Sequence, residues 1–166
     1  STNDYYNRGV ESLETGYFKL ADKRIYNPVG NDKYLFRWNE IPTNVTYNYE
    51  FKTEGNRSIQ FTKNNGENSF YIGQEMYDSI GEEGILFDVR TTTALNADAV
   101  QAGNSTTSIP KAQGFSRFGA DVWHTLQVKK SQMTSDGRFI KFCWSTQATM
   151  YIDNIRMAKS SVESFE

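Results

Sequence analysis

One cysteine, one histidine and three prolines among 166 residues remove several chemistries at the outset. Cys143 alone cannot close an internal disulfide or supply the thiolates of a zinc site. Flanked by Phe142 and Trp144, it reads as a small buried residue. With His124 the single histidine, a histidine-rich metal site is excluded, and any Ser-His-Asp or Cys-His pair must be built around it. Between Trp123 and Thr125 at the start of a strand, it reads as a surface or edge residue. An excess of either charge is also missing: 18 Lys and Arg stand against 20 Asp and Glu, and no basic run occurs, so nucleic acid is not an expected partner. No apolar run approaches the ~20 residues that span a bilayer. The N-terminus has no charged-then-apolar leader, so the chain is expected to be soluble and to be a piece of a larger, multidomain parent protein.

Long amphipathic helices are missing too. The chain instead carries short segments rich in β-branched and aromatic residues, about ten residues apart and bounded by Gly, Asn, Asp, Ser or Thr. Strands are predicted within 9–20, at Tyr34–Trp38, Val45–Lys52, Ser58–Thr62, Ser69–Gly73 and Ile85–Thr91, and three more follow between Asp121 and Met157. Strict alternation in Val45–Lys52 assigns Val45, Tyr47, Tyr49 and Phe51 to one face. Asn64-Asn65-Gly66 has the chemistry of a tight hairpin. From Ala94 to Gln113 the residues turn small and polar, which predicts a loop excursion with at most a helical turn or two. These features give an all-β chain, an antiparallel β-sandwich or jelly roll. The lack of a Cys…Trp…Cys arrangement, together with the closing Tyr151-Ile152-Asp153-Asn154-Ile155 strand, favours the jelly roll over an immunoglobulin-type sandwich. Residues 1–166 are expected to form one domain, with 1–8 and 159–166 its flexible ends.

No catalytic set stands out. Two carboxylates suffice for a glycosidase, but no acidic cluster lies on a predicted strand. Glu82-Glu83 sits between Gly81 and Gly84 as a solvated turn, with two negative charges where a phosphate loop needs none. Arg90, Tyr71, Gln74 and His124 are the residue types that polysaccharide lyases use, in a spacing that matches no lyase motif. Asn44, Asn56 and Asn104 begin Asn-x-Ser/Thr triplets, in numbers that chance supplies in a chain of this composition.

The phrases Trp123-His124-Thr125-Leu126-Gln127-Val128, Ile140-Lys141-Phe142 and Tyr151-Ile152-Asp153-Asn154-Ile155-Arg156-Met157 closely resemble the closing segment of jelly-roll carbohydrate-binding modules. Such modules accompany xylanases, glucanases and related enzymes. Leu13-Glu14-Thr15-Gly16 stands where that family often has Phe-Glu-x-Gly near the start. The resemblance implies an extracellular, secreted or cell-surface, non-catalytic module. It also implies a structural calcium between the two segments, with Glu14 and Asp153 as ligands, and calcium's preference for six to eight oxygen donors suits carboxylates helped by carbonyls.

A pyranose has an apolar C–H face that an aromatic ring removes from water, while amides and guanidinium groups bond its hydroxyls. At 14% aromatic content, the chain holds rings enough for both a core and such a surface. The candidates for sugar contact are Trp38, Tyr71, Tyr77 and Trp144, with Gln74 and Arg90, and also Arg37 and Glu75, as polar partners; each ring also suits a core or rim position. The expected ligand is a plant cell-wall polysaccharide such as xylan or β-glucan, or else starch. The alternatives are a structural or adhesion module of a bacterial surface protein and, third, a small lyase or glycosidase.

Overall fold

The computed structural model describes residues 24–25, 36–38, 43–63, 67–103, 108–143 and 147–158. The expected first strand, Glu14, Trp144 and the 159–166 end lie outside them. The strands are β1 (Arg24–Ile25), β2 (Phe36–Trp38), β3 (Thr43–Asn48), β4 (Ser58–Lys63), β5 (Glu67–Ile72) and β6 (Ile85–Thr91). After these come β7 (Leu95–Asn96), β8 (Val100–Ala102), β9 (Arg117–Phe118), β10 (His124–Val128), β11 (Phe139–Cys143) and β12 (Ala148–Met157). Among the described residues they form two five-stranded antiparallel sheets, in the orders β1-β2-β5-β11-β8 and β10-β6-β12-β4-β3, and a two-stranded β7-β9 ribbon. Helix is limited to short pieces such as Gln74–Ser79 and Ile109–Ala112.

The pleat separates two kinds of side chain most clearly in β11. In β11, Ile140 and Phe142 are buried while Phe139, Lys141 and Cys143 are half-buried. From the other sheet, Ile59, Phe61, Ile85, Phe87, Val89, Leu126, Met150 and Ile152 are buried in the same cluster as Phe70, Ile72, Ile140 and Phe142. Phe61 meets Phe142 edge-on across the two layers, with ring centroids 5.4 Å apart. Each such side chain contributes about 1.5–3 kcal/mol by leaving water, so this shared core is what joins the sheets. A narrow gap inside it is lined by Phe70, Phe87, Ile140, Ile152 and other apolar side chains, which offers a polar ligand no hydrogen bond.

Four local expectations are corrected. Val45–Lys52 is not one strand, because β3 stops at Asn48. There the Asn48 side-chain oxygen accepts the N–H groups of Glu50 and Phe51, at 3.0 and 2.7 Å, and turns the backbone out of the sheet. The strands flanking 64–66, β4 and β5, belong to different sheets and do not pair as a hairpin. The Ala94–Gln113 excursion contains β8, a full member of a five-stranded sheet, with Val100, Ala102, Ile109 and Pro110 buried. Small residues fit between closely packed layers, although their composition reads as loop.

His124 is the fourth correction. It stands on an edge strand, but its side chain points inward, 7% exposed, stacked on Phe115 at 5.5 Å and edge-on to Phe118 at 5.4 Å. Burial lowers its pKa below the ordinary 6.5, and a backbone hydrogen bond at Gly119 opposes the shift in part. A folded-state pKa below the unfolded one means the unfolded chain binds more protons, so stability falls as the pH drops below about 6.5. Urea unfolding between pH 7.5 and 5.5 checks this: H124Q is expected to lose part of the acid-side decline.

Two backbone groups on the outward side of the same edge strand are met by one side chain. The Gln113 amide donates to the Thr125 carbonyl at 3.2 Å and accepts from the Gln127 N–H at 2.8 Å.

Candidate functional site

The two outer faces of the sandwich differ. On the β6-β12 face, Asp88 and Asp153 stand directly opposite each other in the ladder and are 5% and 0% exposed. Like charges so placed repel. Donors from several directions offset the repulsion. Asp153 accepts the Thr53 and Glu54 N–H groups at 2.8 and 3.0 Å on one oxygen, and the Asn154 N–H at 2.8 Å on the other. Asp88 accepts the hydroxyls of Thr53 and Thr125, at 2.6 and 2.8 Å, and pairs with Arg156 at 3.4 Å. Asn154 takes φ 52° at the bulge in β12, a conformation that asparagine tolerates. The Asp-Asn pair of the closing phrase is thus a bulge with a capping carboxylate.

The 49–57 loop is pulled down onto this face by those bonds. Phe51 covers Tyr151 with centroids 5.2 Å apart, and the Arg90 guanidinium lies over Phe51 at 4.2 Å. Burial raises the Tyr151 pKa, while Arg90 lowers it and Asp121 and Glu50 add to the rise. Arg90, expected to contact sugar, is therefore packed against the protein's own loop.

The outer face of the other sheet is different in character. Tyr71 of β5 and Phe139 of β11 are ladder partners, both half-buried, with rings stacked 5.0 Å apart at 29°. One pleat further, about 7 Å along the strands, a polar row runs from Ser69 to Lys141 to Gln101, each half-exposed. Gln74 starts the short helix after β5. It is exposed, donates to Asp78 at 2.9 Å and accepts from Ser135 at 3.3 Å. Arg37 of β2 is the ladder partner of Tyr71 on its other side. Cys143, expected to be buried, is half-exposed on this same face, and its thiol donates to the Asp98 carbonyl at 3.3 Å.

Of the expected residues, Tyr71 and Gln74 both lie at the C-terminal end of β5, Tyr71 in the strand and Gln74 at the start of the helix after it. Tyr77 is on the same short helix, but it packs against the core and lies 5.0 Å from the Lys130 ammonium. Trp38 is placed by its backbone, opposite Phe70 in the ladder. Arg90 and His124 belong to the opposite sheet, on its outer and inner sides respectively, so the four lyase-like residue types do not converge. Glu14 is outside the described residues. The Asp153 carboxylate serves as a cap for three N–H groups, and among the described residues no three His, Cys, Asp or Glu side chains gather as metal ligands.

Phe139 and Lys141 were missed from sequence. Their membership of this surface depends on the β5-β11 register, which no local pattern reveals. Tyr49 was also missed. It is 60% exposed, beside Tyr47, whose pKa is pushed up to about 12 by burial and by the Tyr49 phenol. Comparison of the chain with protein-family models and with curated proteins gave no match.

Proposed function

We propose that this chain is a jelly-roll, non-catalytic carbohydrate-binding module. It holds a secreted or cell-surface parent protein on a polysaccharide, with cell-wall xylan or β-glucan the favoured ligand. The observation that carries the reading is the half-buried Tyr71–Phe139 ring pair on an outer sheet face, bordered by Ser69, Lys141, Gln101 and Gln74. The outward edges of the two stacked rings form an apolar ridge that the C–H face of a pyranose can cover, and the amide, ammonium and hydroxyl groups beside it suit its hydroxyls. Binding of this kind is weak per sugar and gains from several contacts along a chain.

The strand order supports the finer fold assignment. From β4 the principal strands β4, β5, β6, β8, β10, β11 and β12 alternate between the two sheets, giving β4-β12-β6-β10 in one and β5-β11-β8 in the other. Alternation of this kind is what a jelly-roll winding calls for, and it supports that reading. A structural calcium held by Glu14 and Asp153 belongs to the same reading and rests on the resemblance alone.

Affinity electrophoresis and titration calorimetry against xylan, mixed-linkage glucan, mannan, xyloglucan, pectin and starch test the proposal. Binding to at least one is expected. The Y71A/F139A double variant is expected to weaken it at least tenfold, about 1.4 kcal/mol, with the far-ultraviolet spectrum unchanged. Silence across the whole panel overturns the proposal.

A further inference from the structure

Tyr49 is the most exposed large apolar side chain among the described residues, yet it is held from several sides. Before it, Asn48 fixes the turn through the Glu50 and Phe51 N–H groups. Behind it, the Lys52 ammonium donates to the Tyr49 carbonyl at 2.9 Å. At the ring tip, the Arg57 guanidinium donates to the Tyr49 hydroxyl at 3.0 Å. That guanidinium lies over the Tyr47 ring, 3.9 Å from its centroid, and 5.8 Å from that of Tyr49.

The loop that carries the ring is itself stapled. Thr53 and Glu54 bond Asp153, the Ser58 hydroxyl donates to the Phe51 carbonyl at 2.7 Å, and Gly55 closes the turn at φ 63°. An aromatic side chain loose in water gains nothing from such fixing. A ring already oriented loses little conformational freedom when a ligand lies on it, which is how preorganised contacts gain affinity.

The geometry points to a second sugar-contact site on the 49–57 loop, in which Tyr49 is the stacking platform for a pyranose and Arg57 is the positioning residue that holds the ring. It rests on the carbohydrate-binding reading, but not on the Tyr71–Phe139 face. Tyr49 follows the edge strand β3 of the other sheet, so the two contacts engage two sugars, of one polysaccharide or of neighbouring chains. Such pairing raises avidity for polymer without changing the affinity of either contact for a short oligosaccharide.

The test is a nuclear magnetic resonance titration of the full chain with xylohexaose and, separately, cellohexaose, following amide shifts. The expected result is two responding patches, one at 48–57 and one at 69–74 with 139–141, each with its own affinity. Y49A is expected to silence the first patch and leave the second unchanged, and to lower affinity for insoluble polymer at least tenfold. Y49W, with a larger flat face, is expected to keep both. R57K keeps the charge but loses the fork, and is expected to weaken the first patch alone.

If the 48–57 amides stay still while the second patch titrates normally, the Tyr49 site is overturned and the Tyr71–Phe139 face stands. If only 48–57 responds, the Tyr71–Phe139 face is overturned and Tyr49 stands. Silence at both patches with both oligosaccharides overturns the two together.

Discussion

Asp153→Ala is expected to lower the unfolding free energy by about 4 kcal/mol, the range seen when one member of a buried polar network is removed. The carboxylate is fully buried and accepts three backbone N–H groups, two of them from the 49–57 loop. Alanine strands all three donors. Those of Thr53 and Glu54 recover water only if the loop lifts, which uncovers Tyr151 and Asp88. Asp153→Asn keeps one acceptor oxygen and is expected to lose about half as much. Urea unfolding followed by circular dichroism measures both, and a loss under about 1 kcal/mol for the alanine variant would mean that the loop is held by other contacts.

Gly84→Ala is expected to be about as damaging, at about 3 kcal/mol or more, for a different reason. Gly84 has φ 72°, where an L side chain is strained by about 1–2 kcal/mol. A Cβ there falls 1.7 Å from the Val128 carbonyl oxygen, so the end of β10 must move as well. The Gly84 carbonyl also accepts the Ala158 N–H at 2.8 Å, so the shift reaches the end of β12. Gly114→Ala is the internal control: φ is 99°, but a Cβ meets nothing within 4 Å, and only backbone strain is expected. Thermal unfolding of the two variants separates collision from strain.

The strands that packing decides were the ones most legible in the sequence. Ile85–Thr91 came out with the observed bounds because its aliphatic and aromatic residues have no other use than a buried strand. The closing phrase from Tyr151 to Met157 falls within β12, which begins three residues earlier. Val45–Lys52 failed at Asn48, where a side chain that bonds its own backbone outweighs a continuing alternation. Val100–Ala102 was read as loop because burial between close layers favours small residues, whose local preference is weak. The division of strands between sheets was invisible, since turn chemistry at 64–66 reports a change of direction and not which layer receives the chain.

The candidate surface was half legible for the same reason. Tyr71 and Gln74 are near neighbours in sequence and were found together. Phe139 joins them only through the antiparallel register, and Arg90 was lost to them because β6 lies in the other sheet. Tyr49 was placed on one strand face with Val45, Tyr47 and Phe51 by an alternation that ends one residue earlier.

Gln113 has a consequence beyond its own two bonds. An uncapped outermost strand is a template on which another molecule can add a strand of its own, and repetition of that step builds fibrils. By filling the Thr125 and Gln127 positions with a side-chain amide, the chain withdraws that template at the cost of a single residue. At that edge, the amide leaves an incoming strand fewer backbone partners to pair with.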